Sequence, residues 1–70
     1  MPFANLKVPA GTLSAKQKET LVAKVTDLYV DVFGDAVRDN TMVLVDEVVD
    51  GGWGLRGDVL TLAKIQQPSG

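Results

Sequence analysis

Apolar and polar positions alternate at the start of the chain. From Phe3 to Val8, the residues Ala4, Leu6 and Val8 fall on one side, and the other side is mixed. That pattern predicts a half-buried strand. Pro9-Ala10-Gly11-Thr12 breaks it, because proline cannot donate to a ladder and glycine permits a turn. Ser14 and Gln17 then have the spacing of a capping box, so a helix should begin near Ala15. Leu21, Val25, Leu28, Tyr29 and Val32 recur as one apolar stripe at the helical period, and Lys16, Lys18, Lys24, Asp27 and Asp31 fall mostly away from it. Gly34 is placed to end the helix in a left-handed cap, and Asp35 to Asn40 reads as a polar connection.

Thr41 to Val49 is the second strand. Its continuously apolar centre is the mark of a strand buried on both faces. Strand, helix and strand form a β-α-β unit, whose crossover makes the two strands parallel. Four glycines between Asp50 and Gly57, around Trp53, Leu55 and Arg56, predict a tight turn or short hairpin. Asp58 to Ile65 is a weaker apolar segment, a short strand or a turn against a neighbouring subunit, and Gln66 to Gly70 reads as a frayed end. The fold class is therefore α/β (α+β). A single domain over residues 1–70 holds one β-α-β unit and a short C-terminal hairpin, and two protomers pair about a two-fold axis into a four-stranded sheet.

Composition sharpens this picture in one respect. A chain of 70 residues buries only about 60% of its unfolded surface. It has no cysteine and no histidine, so disulfides and thiolate or imidazole metal sites are not expected, and oligomerisation remains as the source of further burial. The hydrophobic content of 46% can supply an interface as well as a core. Seven scattered basic residues and a net charge of −2 argue against nucleic acid. No apolar run approaches the ~20 residues of a membrane helix. The N-terminus lacks the pattern of a signal peptide, so a cytoplasmic location is expected.

Few residues can carry proton chemistry. Pro2 follows Met1 directly, and methionine before a small residue is trimmed in cells. Trimming leaves Pro2 with a free secondary amine at the head of a strand. A proline in this position also occurs merely as the mark of an N-terminus. Gly52-Trp53-Gly54-Leu55-Arg56-Gly57 matches G-x-G-x-x-G, but too little chain follows it to open a nucleotide-binding helix, so it reads as glycine-rich turns. Asp46 and Glu47 are neighbours on a strand and point to opposite faces, which separates them. Trp53 is open to two readings, a core aromatic or the wall of a pocket. Arg38 and Arg56 are the only guanidinium groups able to fork a carboxylate. Arg38 reads as solvated in a polar loop, whereas Arg56 lies beside Trp53 where little bulk screens it.

Met1-Pro2-Phe3, Ala10-Gly11-Thr12, Gln17 to Val22, Val43 to Glu47 and Trp53 to Gly57 together resemble the 4-oxalocrotonate tautomerase family, from Pro2 to about Asp58. The resemblance implies a β-α-β protomer that pairs into a dimer, with three dimers commonly forming a hexamer. It implies a cofactor-free tautomerase acting on a small-molecule enol or 2-oxo acid, with Pro2 as general base and acid. Trp53 falls where the family has an aromatic that packs on substrate and lowers the proline pKa, and Leu55 falls at a pocket-lining aliphatic. The family's two substrate arginines align with Thr12 and Met42, neither of which can fork a carboxylate. Arg56 stands where the family has glycine, and the anion site is read as relocated there. A monocarboxylate enol such as phenylenolpyruvate then suits the site better than the dicarboxylate 2-hydroxymuconate. Three rivals stand beside this reading: a non-catalytic or partner-dependent subunit of a hetero-oligomer, a dehalogenase or hydratase of the same superfamily, and an assembly module in which Pro2 is incidental.

Overall fold

The structure is a computed structural model and describes residues 2–65. Strand β1 (Phe3–Pro9) is followed by helix α1 (Ala15–Phe33), a 3₁₀ segment (Asp35–Asn40) and strand β2 (Met42–Val48). Strands β3 (Trp53–Leu55) and β4 (Asp58–Leu60) form a hairpin, and a short helix α2 (Leu62–Ile65) follows. The expected β-α-β unit and hairpin are both present. Gln66 to Gly70 lie outside the described residues.

β1 and β2 pair in parallel from Phe3↔Met42 to Pro9↔Val48. In this register Ala4, Leu6, Val8, Val43 and Val45 share the face that α1 covers. The adjacent carboxylates separate as the pleat requires. Asp46 accepts from Lys7 on the open face, and Glu47 accepts from Lys18 of α1 at 2.7 Å. The helix begins as the capping box dictates. The Ser14 hydroxyl accepts from Gln17 N–H at 3.1 Å, and the Gln17 side chain accepts from Ser14 N–H at 2.8 Å.

Several expectations need correction. In a single chain β2 is not buried on both faces: Met42 is 58% and Leu44 48% exposed, because α1 covers one side of a two-stranded sheet and nothing among the described residues covers the other. The helical stripe is split. Leu21, Val22, Val25 and Tyr29 are half-buried, whereas Leu28 and Val32 are 59% and 71% exposed. At 100° per residue, Leu28 lies on a flank rotated away from the arc centred on Val22 and Tyr29, whereas Val32 keeps the direction of Leu21 and Val25 but stands in the last turn of α1. Gly34 does end α1, its N–H donating to Val30 O at 2.7 Å, but φ 101° and ψ 162° place it in a positive-φ region that glycine alone readily enters rather than in the left-handed helical one. The polar connection is a 3₁₀ segment. Arg38 within it is not merely solvated: it donates to Asp27 of α1 at 2.9 Å and pairs with Asp35 at 3.5 Å. The hydrogen bond to Asp27 chiefly, and Asp35 with it, holds the guanidinium above its ordinary range.

The protomer has little interior. Ala4 is the one buried hydrophobic among the described residues. The Cα radius of gyration is 15.2 Å, against about 11 Å for a compact chain of this length.

Candidate active site

Pro2 sits immediately before β1 and is half-buried. Its carbonyl accepts the N–H of Met42 at 3.0 Å, the bond that begins the parallel pairing. The position after the initiator methionine is therefore tied to the sheet. Met42 is adjacent to Pro2, at the start of β2, and its thioether has no polar hydrogen to donate.

Thr12 lies beyond the opposite end of β1. Its hydroxyl donates to Pro9 O at 2.7 Å, which fixes the β1–α1 turn. The hairpin begins at that end too. Ala10 N–H donates to Val48 O at 2.7 Å, Gly52 N–H to Val49 O at 2.9 Å, and Leu62 N–H to the Asp50 carboxylate at 2.7 Å. The first of these bonds continues the β1–β2 pairing, and the other two tether the residues flanking the hairpin to the C-terminal end of β2. A Cβ on Gly52 would lie 2.8 Å from Val48 Cγ1 and 3.0 Å from Val49 O, so only glycine fits this bend.

Trp53 and Leu55 alternate on β3 and so share one face of the hairpin. Trp53 is half-buried opposite Leu60, and its indole N–H is buried without a partner among the described residues. Leu55 is exposed opposite Asp58. Arg56 and Gly57 make the two-residue turn between them, with φ 55° and 82°. Positive φ at both central positions is the type I′ combination. The segment Asp58 to Ile65, read above as a strand or turn, is strand β4 followed by the short helix α2.

The candidate residues thus fall into two groups. Pro2 and Met42 lie at the N-terminal end of the parallel pair. Thr12 and the root of the hairpin bearing Trp53, Leu55 and Arg56 lie at its C-terminal end. The seven residues of β1 separate them by about 20 Å at ~3.3 Å per residue. No pocket forms among the described residues of one chain. Reading the sequence brought out each of these residues but not this separation, which follows from the parallel register and the length of β1.

Comparison with known proteins agrees with the architecture. Residues 2–63 match the family model for tautomerase enzymes. A probable tautomerase K2 from Dickeya dadantii is 39% identical over 61 residues, which cover 87% of this chain and 90% of that protein. Among solved structures, DmpI from Helicobacter pylori superposes with a TM-score of 0.73 at 35% identity, covering 83% of this chain and 88% of that one. A 4-oxalocrotonate tautomerase isozyme from Methylibium petroleiphilum superposes with a TM-score of 0.76 at 26% identity, covering 94% of this chain and all of the other. With its β-α-β unit, its antiparallel hairpin and a family match over nearly its whole length, this chain belongs to the tautomerase family.

Proposed function

We propose that this protein is a cofactor-independent tautomerase of enols and 2-oxo acids in which Pro2, freed of Met1, is general base and acid. The observation that carries the reading is the bond from Met42 N–H to Pro2 O, which holds the proline on ordered sheet backbone. A base must keep its lone pair in a fixed direction, and a sheet-anchored residue does so better than a fraying tail.

The step balances without a co-reactant. The amine lone pair takes the enol O–H proton, and the O–H bonding pair becomes the second bond of the carbonyl. The electron pair of the C=C bond then takes the proton back from the ammonium at carbon. One proton has moved, and the amine is regenerated. Apolar surroundings favour this cycle, since burial disfavours the ammonium and brings its pKa toward working pH.

Such surroundings come from a second copy in this reading. Trp53, Leu55 and Thr12 root at the far end of their own sheet from Pro2. Apposition of two or more chains would set the hairpin of one over Pro2 and Met42 of another. The exposed apolar residues Phe3, Met42 and Leu44 on the open sheet face, and Leu28 and Val32 on α1, support an oligomer, because a lone protomer leaves them all in water. A dimer and a hexamer built of three dimers both satisfy this requirement.

The test is ketonisation of phenylenolpyruvate by the purified chain and its Pro2→Ala variant, with the intact mass showing loss of Met1. The expected result is a fall of ~100-fold or more in the variant, the scale of losing a general base. Equal rates would overturn the proline mechanism. Activity that appears only on adding a different subunit would favour the partner-dependent reading instead.

A further inference from the structure

We propose that Arg56 grips the substrate carboxylate, brought by the hairpin turn of one copy to the Pro2 end of another, and that this single fork restricts the enzyme to monocarboxylate substrates. The inference rests on the function proposed above, which supplies a substrate bearing a carboxylate.

The backbone is the first observation. Arg56 is the only residue other than glycine with positive φ among the described residues. A type I′ turn favours asparagine, aspartate or glycine at this position, because an ordinary side chain meets its own backbone there. Arginine has no short polar group to relieve that crowding. The turn would form better with another residue, so the reason for arginine lies in what its side chain reaches.

Charge is the second. Arg38 is held by Asp27 and Asp35, Lys7 by Asp46, Lys18 by Glu47, and Lys16 lies near Glu19. Lys64 donates to Val59 O. Arg56 has no ion pair or hydrogen bond among the described residues, so its fork is open to an external anion. Lys24, the other cation without a partner there, stands exposed on α1.

The neighbourhood is the third. Trp53 and Leu55 present apolar surface on one face of β3, and the guanidinium follows at the strand's end. An enol carrying an apolar group at one end and a carboxylate at the other matches that sequence of surfaces. A second carboxylate would find no partner at Thr12 or Met42, since the Thr12 hydroxyl donates to Pro9 O, the Met42 N–H donates to Pro2 O and the Met42 thioether has no polar hydrogen. Enclosing an unpaired carboxylate is costly, so dicarboxylates are disfavoured.

The experiment compares the wild-type oligomer with Arg56→Asn on phenylenolpyruvate and on its methyl ester, with Pro2→Ala measured beside them. Asparagine before Gly57 suits a type I′ turn, so the denaturation midpoint should stay level or rise. KM for the acid should rise ~10–100-fold, the scale of a lost charge-assisted hydrogen bond, with kcat changed less and the ester unaffected. An unchanged KM for the acid, or an equal loss on acid and ester, would overturn the assignment. If Pro2→Ala keeps full activity, the proline reading fails, and the acid-to-ester ratio of Arg56→Asn still decides the role of Arg56.

Discussion

The N–H of Met42 donates to the carbonyl of Pro2 at 3.0 Å, so the first turn of pairing between the two parallel strands is also what fixes the proposed catalytic residue. Anything placed before Pro2 leaves this bond possible but turns the secondary amine into a tertiary amide with no basic lone pair. A variant with one extra residue between Met1 and Pro2, chosen so that the added residue is retained, should keep its circular dichroism spectrum. Its ketonisation rate should fall by ~100-fold or more.

Ser14 and Gln17 satisfy each other's main-chain N–H groups at the start of α1. Ser14→Ala should lower stability by about 0.5–2 kcal/mol in urea denaturation. The kinetic constants of the folded enzyme should not change, since the cap lies outside the residues assigned to the site.

Gly52 meets Val48 Cγ1 and Val49 O too closely to accept a Cβ. Gly52→Ala should destabilise by about 1–3 kcal/mol, the range for overpacking. Because this bend aims the hairpin, activity should fall further than the loss of folded protein explains. Activity assays normalised to the folded fraction would separate the two effects.

The local elements were legible in the sequence because each rests on contacts within a few residues. The Ser14–Gln17 box, the alternation along β1 and the glycine cluster before β3 all appear in the structure at their expected places. What was misjudged depends on partners. The apolar centre of β2 reads as doubly buried, yet Leu44 faces outward in a single chain. Leu28 and Val32 fit the helical period, yet Leu28 lies on a flank and Val32 in the last turn of α1, and both are exposed in a single chain. Such residues encode surfaces to be covered, and periodicity alone does not say by what. Arg38 was misread for a related reason: its partner Asp27 is eleven residues away, on an element that local patterning does not bring to it.

Those open surfaces give a direct expectation. Leu44→Lys would put an ammonium on the uncovered face of β2, opposite Asn5 and two positions from the Lys7–Asp46 pair. The variant should sediment as a smaller species than the wild type and lose activity in parallel. A variant that keeps both its size and its rate would place the subunit interface elsewhere.

The most direct measurement of the central claim, a proline base completed by another copy, is complementation. One chain carries Pro2→Ala, and the other carries Trp53→Ala together with Arg56→Asn. Each alone should be impaired. Co-assembled and shown by native mass spectrometry to be mixed, they should recover up to about a quarter of wild-type activity, the share of sites that random pairing of copies leaves with both halves intact. Mixed oligomers with no recovered activity would contradict a site shared between chains, and a fully active hairpin variant would contradict the hairpin's part in it.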